Sequence, residues 1–380
     1  IFGTTSSINL GASVQNNIGL GRINFNAGLN YFANVNDIVS HRLTLFNSQL
    51  SLTQKKDRYY DFFPADRDVR NLIFESYSPT LNQDFIDNKI TSDELSAIIL
   101  SDTNYVQSLS GDQITQFNTF LQSLVNKDRQ TQDVLISSMI YNFTYNEIGK
   151  KDRPNPVYLN AKIESAGNLF SIFNSSEKDD GVVSGASKTI FKIPYSQFVK
   201  FDVDVRKYYS VFNNKHTIAL RQFIGVGIPY GNSSTMPFVR SYFNGGSNDI
   251  RAWRVFGGLG PADAQYDEKV RAYIMSNVKL TTNIEYRMPF TDMFEGAAFI
   301  DAGNIWSLKA DGSGDEFKFN KFISQMGVGT GLGLRINIAY ITLRLDAAYK
   351  AYDPNQPIGD RWVLGNTWKP VLNFAFGYPF

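Results

Sequence analysis

The stretch AYIMSNVKLTTNIEYRM, residues 272–288, decides the fold prediction because apolar and polar side chains alternate along it. A period of two residues is the pattern of a β-strand. A run of about 17 residues is longer than an ordinary soluble strand, and it fits a tilted barrel strand that extends beyond a membrane. The apolar face carries Ile274, Val278, Leu280, Ile284, Tyr286 and Met288, and the polar face carries Asn277, Lys279, Thr281, Asn283, Glu285 and Arg287.

Similar alternation recurs throughout the chain. In residues 340–352, for example, Arg344, Asp346 and Lys350 fall on one face. Charges on one face and apolar side chains on the other fit strands that separate lipid from a polar interior. We therefore predict an all-β protein, a transmembrane antiparallel β-barrel. The twelve readable strands are 4–14, 22–31, 39–53, 133–149, 156–173, 196–209, 216–230, 272–288, 296–308, 322–338, 340–352 and 370–380.

Composition narrows the class of function. The net charge of +1 indicates no nucleic-acid partner. The chain has no cysteine, which excludes disulfides and thiolate chemistry, and its two histidines, His41 and His216, lie far apart in sequence. We therefore predict no catalytic residue, no metal site and no cofactor. No apolar run of 18 residues exists, so no transmembrane helix is expected. The first ten residues already resemble a strand, so we expect a processed or truncated chain.

The alternation breaks over residues 54–131, where a charged and aromatic segment precedes two helical patterns. Residues 90–100 begin with a capping signal at Thr91 or Ser92, with Glu94 beyond it. Residues 112–126 place apolar side chains at helical spacing. Such a long insertion between strands is normally a surface loop. A locally packed loop domain is the favoured interpretation, and a helix that binds a partner is the alternative.

Connection lengths predict which ends of the strands face the cell exterior. Turns after residues 33, 149, 213, 290 and 338 are short, and most alternate connections are long. Outer-membrane barrels have short periplasmic turns and long outer loops. The insert 54–131 and the loop 243–261 therefore both belong at the extracellular end.

The segment FNGGSNDIRAWRVFGGLGP, residues 243–261, contains five glycines, among them Gly245 and Gly246, around the basic and aromatic residues Arg251 and Trp253. Glycine at this density predicts tight turns and positive φ angles. Composition alone favours a long surface turn. A row of glycines from 327 to 333 on one face of a later strand predicts a close approach to the barrel wall.

Three motifs in this part of the chain resemble the Omp85 family of outer-membrane assembly and translocation barrels, closest to its TamA-like branch of the Bacteroidota type. IRAW at 250–253 is similar to the Val-Arg-Gly-Phe/Tyr motif of the family's sixth outer loop, with Ala and Trp in place of Gly and Phe/Tyr. NIEYR at 283–287 is similar to the twelfth-strand Glu-x-Arg motif. FIDAG at 299–303 is similar to the thirteenth-strand Asp-x-Gly motif.

The resemblance implies that the loop 243–261 is inserted into the barrel lumen. Arg251 would then be a buried cation, and Glu285 and Asp301 fall on the inward faces of adjacent strands. A guanidinium can bind such carboxylates bidentately, which would latch the loop to the inner wall with Trp253 packed beside it. The alternative is that these are ordinary lumen charges with mixed pairing.

The resemblance also implies a sixteen-stranded barrel preceded by POTRA domains. The first four strands and the POTRA domains are expected to be absent from residues 1–380, which would form the barrel domain alone. The last strand is expected to form a seam and a targeting signal. Its lipid-facing side chains would be Leu372, Phe374, Phe376, Tyr378 and Phe380.

The function that the resemblance implies is insertion or export of other proteins through this seam, not enzyme catalysis. The implied location is the bacterial outer membrane. Unfolded outer-membrane proteins would be substrates, outer-membrane lipids would surround the barrel, and accessory lipoproteins or inner or periplasmic subunits would be further partners. One alternative is a passive porin or a ligand-binding surface barrel. Another is the anchor of an upstream enzyme domain such as a patatin-type lipase.

Overall fold

The described residues of the protein form one large antiparallel sheet of twelve strands. The computed structural model describes residues 3–15, 21–172, 178–181, 185–213, 215–255, 257–260, 275–308, 316–338, 341–365 and 369–380. The strands of the large sheet are β1 Thr4–Gln15, β2 Arg22–Asn34, β3 Val39–Thr53, β4 Val134–Asn146, β5 Val157–Ala166, β9 Phe198–Val211, β10 His216–Pro229, β11 Val278–Pro289, β12 Phe294–Trp306, β13 Gly327–Ile338, β14 Ile341–Tyr352 and β15 Val371–Phe376. A small separate sheet holds β6 Lys178–Gly181, β7 Gly185–Ile190 and β8 Ile193–Pro194.

Each strand of the large sheet pairs antiparallel with the next one along the chain, and β1 and β15 are its two edges in the described residues. The prediction of an all-β antiparallel fold with about twelve strands is confirmed. Connections at one end of the strands span at most ten residues, whereas all but one at the other end exceed fifteen. The insert and the loop 243–261 therefore share one end of the sheet. That this end is extracellular, and that the whole barrel has sixteen strands, stay predictions.

Several predicted strand boundaries are wrong. The segment 156–173 ends as a strand at Ala166, because Gly167 turns the chain with a φ of +78° and Asn168–Ile172 forms the short helix α7. The segment 322–338 begins as a strand only at Gly327, after a 3₁₀ helix at Phe322–Gln325. Of the segment 272–288, β11 contains the part from Val278 onward, and residues 272–274 lie outside the described residues.

Large apolar side chains cover one face of the sheet. Residues paired across strands share a face, and the pairs Ile284–Ile300 and Leu345–Phe374 place exposed apolar side chains next to each other. Exposed apolar side chains at alternate positions are what contact with lipid requires. We call this the outer face. It also carries Leu29, Met139, Tyr141, Ile163, Phe201, Val205, Ile224 and Leu332.

The opposite face, called the inner face, curves around one connection of the same chain. We define the inner loop as the described residues 236–255 and 257–260, between β10 and β11. On the inner face, its side chains and backbone contact strands from β3 near one end of the strand order to β15 at the other. The sheet must therefore curve around the loop. The contacts run from Arg240 to Gln49 and Glu164, from Tyr242 to Asp202, from Asp249 to Lys279, from Arg251 to Asp301, from Ser247 to Arg344 and from Arg251 to Asn373.

The insert folds around its own apolar core. Buried side chains from three of its helices, centred on Phe74, Leu95 and Phe120, pack together. The two predicted helices are present, one with the Thr91–Glu94 capping box and the other five residues longer than expected. Four further helices went unpredicted. The six are α1 Tyr59–Phe62, α2 Pro64–Tyr77, α3 Pro79–Ile86, α4 Ser92–Ser101, α5 Thr103–Ser108 and α6 Asp112–Thr131.

The last helix of the insert is tied to the large sheet and to the segment after the inner loop. Arg22 on β2 donates to the backbone oxygen of Gln130 over 2.7 Å. Arg129 donates to the backbone oxygen of Met275 over 2.7 Å. The insert is therefore fastened to the sheet at the end where the long connections lie. None of the described helices has both the length and the apolar character needed to cross a membrane.

Candidate functional site

Two glycines shape the inner loop so that it presents Arg251. Gly245 and Gly246 have φ angles of +91° and +103°, which side chains on L-residues rarely adopt. The amide of Gly246 donates to the backbone oxygen of Trp253 over 2.8 Å, and the amide of Gly245 donates to Asp249 Oδ2 over 2.8 Å. A side chain at Gly245 would collide with the backbone of Arg254. The segment between the glycines and Trp253 is therefore a closed, compact turn.

Arg251 is fully buried against the inner face. Its Nε and Nη2 donate to the two carboxylate oxygens of Asp301 on β12 over 2.8 and 2.9 Å, and its amide donates to the same side chain over 3.1 Å. Its Nη1 donates to Glu285 Oε2 on β11 over 2.5 Å. The guanidinium also lies 3.4 Å from the ring centre of Phe299. One side chain of the loop thus binds carboxylates on two adjacent strands, with ring stacking beneath it.

Glu285 is shared by three arginines. Besides Arg251, it accepts from Arg335 Nη2 on β13 over 2.9 Å and from Arg287 Nε on its own strand over 2.8 Å. Asp301 has fewer partners, and Asn283 Nδ2 donates to it over 2.8 Å. Because both carboxylates are fully buried, each requires such partners to offset its lost hydration.

A third buried carboxylate, that of Asp346, extends the network to β14. Asp346 accepts from Arg335 Nη1 over 2.6 Å, and its Oδ2 lies 3.1 Å from Arg344 Nε. Sequence reasoning placed Arg344 and Asp346 inward but gave them no role, and it did not single out Arg335. The signal for Arg335 was available, because it continues the row of glycines 327–333 on the same face of its strand.

The wall also binds the backbone of the inner loop. Arg344 Nη2 donates to the backbone oxygen of Ser247 over 2.6 Å and to Asn248 Oδ1 over 2.7 Å. Arg221 on β10 donates to the backbone oxygen of Asn248 over 3.0 Å. Lys279 on β11 pairs with Asp249 over 2.8 Å. Strands β10, β11 and β14 therefore all bind the turn that carries Arg251.

Trp253 and the glycine row form an apolar contact beside the charges. Trp253 is 1% exposed and packs with Ile250, Ala252, Leu259 and Phe299 of the loop and wall. A methyl group added at Gly329 would lie 2.5 Å from the Cβ of Ala252, and one at Gly327 would lie 2.8 Å from Leu259. Because these glycines have no side chains, they leave the space that the inner loop fills.

The edge strand β15 is linked to the inner loop. Asn373 Nδ2 donates to the backbone oxygen of Arg251 over 3.0 Å. On the other face of the strand, Phe374 and Phe376 are 60% and 67% exposed. β15 pairs with β14 through only six residues, the fewest of any pair in the large sheet.

The expected lipid-facing position of Phe380 is wrong. The strand ends at Phe376, and Gly377 turns the chain with a φ of +73°. Phe380 is 7% exposed, and its backbone oxygen accepts from Arg287 Nη2 over 3.2 Å. The Arg287 guanidinium lies 4.3 Å from the ring centre of Tyr378. The last residues therefore reach the same arginine that binds Glu285, whereas Phe374 and Phe376 stay on the outer face.

Trp306, the last residue of β12, lies on the same face of its strand as Ile300 but is not exposed. It is fully buried, its Nε1 donates to Gln325 Oε1 over 2.7 Å, and Phe317 packs edge-on against its ring. The connection after β12 covers this end of the strand. Among the described residues no group of three or more His, Asp or Glu side chains is placed to hold a metal ion.

An antiparallel sheet with an apolar outer face and a charged inner face, wrapped around one of its own loops, defines an integral membrane protein of the β type. The chain belongs to the Omp85 superfamily, whose domain profile matches residues 1–377. It is accordingly an integral protein of the outer membrane. The TamA-like branch and the Bacteroidota source stay predictions.

One solved structure shares the fold at low sequence identity, and another aligns less well. The crystal structure of BamA from Haemophilus ducreyi lacking POTRA domains 1–3 aligns with a TM-score of 0.53 and 12% identity, covering 98% of this chain and 57% of that one. CdiB from Escherichia coli aligns with a TM-score of 0.42 and 12% identity, covering 98% of this chain and 49% of that one. The chain thus spans about half the length of these proteins. A search of curated proteins found no match.

Proposed function

We propose that this chain is the membrane part of a machine that inserts other proteins into the outer membrane or exports them across it. The observation that carries the proposal is the complete burial of Arg251 between Glu285 and Asp301, on a loop that fills the inner side of the sheet. A wall-bound loop of this kind suits a protein that handles substrates at its edge better than one that conducts solutes through its centre.

The working surface in this proposal is the free edge of β15. Unpaired backbone groups at a sheet edge can accept another strand by β-augmentation. The short pairing of β15 with β14 makes it the strand of the large sheet that is most easily displaced. Its exposed Phe374 and Phe376 would lie beside the apolar side chains of an incoming strand.

The role proposed for the inner loop is that of a latch. Arg251 fastens the loop to β11 and β12, and the loop in turn holds β15 through Asn373. A docked loop would keep the inner wall rigid while the edge exchanges partners. The insert at the same end of the sheet would stay outside this pathway, as a packed domain at the cell surface.

The test is assembly of a substrate by the full-length protein in lipid vesicles. Arg251→Ala should reduce assembly of an unfolded outer-membrane protein strongly, and Arg251→Lys should reduce it less. Arg58→Ala, on the exposed surface of the insert, is the matched control and should retain assembly. Unchanged assembly by a folded Arg251→Ala protein would return the loop to an ordinary set of interior charges.

Single-channel conductance tests the passive alternative. A barrel whose interior holds the inner loop should conduct weakly and irregularly, whereas a porin conducts steadily. Steady large conductance by the parent protein, with no assembly of substrates, would favour the porin. Enzyme activity is not part of the proposal.

A further inference from the structure

A second buried ion pair fastens the inner loop at residues 236–242, which we call the limb at Arg240. Arg240 Nε donates to Glu164 Oε1 on β5 over 3.0 Å, and its Nη1 donates to Gln49 Oε1 on β3 over 3.0 Å. Neither contact involves the strands that bind Arg251. In the order of the sheet, β9 and β10 separate β5 from β11.

Glu164 is built into the wall as a partner for this arginine. It is fully buried, and Ser138 Oγ on β4 donates to its Oε1 over 2.8 Å. Lys162 lies 3.6 Å away, on the same strand. A carboxylate out of reach of water is costly unless cations and donors surround it, so the wall is arranged to receive a cation from the loop.

The limb around Arg240 fits the wall closely. Met236 is 1% exposed and lies against Gly227, where an added methyl group would come 2.9 Å from its Cε. Lys200 on β9 donates to the backbone oxygen of Arg240 over 2.9 Å. The hydroxyl of Tyr242 donates to Asp202 on the same strand. This limb therefore has its own set of contacts, with its own buried apolar anchor.

We propose that Arg240 is a second latch, a positioning residue that holds the limb 236–242 on β3 and β5 independently of Arg251. The inner loop then acts as a brace. One limb is fixed to the strands near β3, the other to β11–β14, and the loop joins the two halves of the sheet from inside.

The brace deepens the proposed function and rests on it in one respect. If substrates exchange at the edge of β15, the two halves of the sheet must stay in place while edge pairing is lost. Two separate latches achieve this, because release of one leaves the loop attached to the other half. A single latch would let the loop and one half of the sheet move together.

Cysteine protection in the full-length protein tests the two latches separately. Residues 1–380 contain no cysteine, and any cysteine elsewhere in the full-length protein is replaced by serine, so single probes are labelled cleanly. Met236→Cys reports the limb at Arg240, and Ile250→Cys reports the limb at Arg251, since both side chains are at most 2% exposed. Each probe is combined with Arg240→Gln and with Arg251→Gln. The rate of maleimide labelling is measured in detergent, on protein whose gel mobility is that of the folded form.

Arg240→Gln should speed labelling at position 236 about tenfold or more, the factor that loss of one charge-assisted pair gives, with little change at 250. Arg251→Gln should do the reverse. Glu164→Gln is the second route to the same result, since it removes the partner and keeps Arg240. The latch is disproved if position 236 stays as protected in Arg240→Gln and Glu164→Gln as in the parent. Independence is disproved if both probes respond equally to both arginine variants.

Because this assay contains no substrate, its outcome is separate from that of substrate assembly. Two independent latches with no assembly activity would preserve the brace and reject the proposed function. Normal assembly by a protein in which Arg240 does not protect position 236 would preserve the proposed function and reject the brace.

Discussion

Asn373, on the edge strand β15, donates from its Nδ2 to the backbone oxygen of Arg251 over 3.0 Å. This bond joins the strand of the large sheet with the fewest paired residues to a fully buried residue of the inner loop. It uses the backbone of Arg251, so the guanidinium stays free to bind Glu285 and Asp301. Arg251 thereby contacts three strands at once, and the edge strand is one of them.

Asn373→Ala should loosen β15 without releasing the loop. The lost hydrogen bond contributes about 1 kcal/mol, which is a large share of what six paired residues provide. Hydrogen exchange of residues 371–376 should accelerate by a few fold, with exchange in the inner loop unchanged. Leu372→Ala, on the exposed outer face of the same strand, is the matched control. Equal acceleration in both variants would show that the bond to Arg251 contributes nothing specific.

Arg251→Ala should destabilise the folded protein by about 3 kcal/mol, because it removes a cation that two buried carboxylates share. Asp301 should be the more affected, since Glu285 keeps Arg287 and Arg335. Adding Asp301→Asn to Arg251→Ala should therefore restore part of the loss in thermal unfolding in detergent. Additive losses in the double variant would contradict this assignment of the charges.

Gly329→Ala should displace the inner loop, because its methyl group would lie 2.5 Å from the Cβ of Ala252. Overpacking of this kind costs about 1–3 kcal/mol. Gly11→Ala, in β1, is the control, since no atom lies within 4 Å of a methyl group there. Thermal unfolding should separate the two variants, and equal stabilities would show that the loop does not need the glycine row.

The helical insert should weaken as the pH rises from about 4 to above 6. Burial raises the pKa of Asp66 to about 6, against an opposing effect of the hydrogen bond that Tyr59 donates to it. The folded carboxyl keeps its proton at a pH where the unfolded one has lost it. Stability from this group is therefore complete below the unfolded pKa and is lost as the pH passes the folded pKa, by about 3 kcal/mol in all.

Asp66→Asn removes this titration and isolates the effect. Hydrogen exchange of residues 64–77 in variant and parent, compared at the same pH, should show the variant relatively more protected above pH 6 than at pH 4.5. Asp68→Asn, at an exposed position of the same helix, is the control and should give no such trend. A constant difference between the Asp66 variant and the parent across this range would exclude Asp66 as the source.

Much of the inner wall could be predicted because strands alternate strictly. Once β11 and β12 were recognised, their register placed Glu285 and Asp301 on one face, and the structure brings both to Arg251. The role of Arg251 as a functional latch stays a prediction. The roles of Arg335 and Arg344 were missed because alternation gives the face of a residue but not its partners on other strands or on the inner loop.

Periodicity carries no information where the chain is irregular. Arg240 lies in a 3₁₀ turn of the inner loop, and its contact with Glu164 depends on where the whole loop docks. The position of Phe380 was predicted wrongly for a different reason. Alternation was extended through Gly377, whose positive φ ends the strand.

The unpredicted helix α2 has a recognisable start signal in the sequence. Pro64 occupies the first turn of α2, where proline is favoured. Ile73 and Phe74 then supply its buried face. The charged and aromatic composition around them obscured this pattern, since burial of Asp66 and Arg70 in the same helix depends on partners elsewhere in the insert.

The most direct test of the account is whether a substrate strand meets the edge of β15. A single cysteine at Phe374 in the full-length protein, paired with a stalled outer-membrane substrate that carries one cysteine in its last strand, should form a disulfide during assembly. Ile224→Cys, at a comparably exposed outer-face position on β10, should not. Cross-links at Phe374→Cys that disappear in Arg251→Ala are the predicted result. Equal cross-linking at both positions, or none at either while assembly proceeds, would contradict the account.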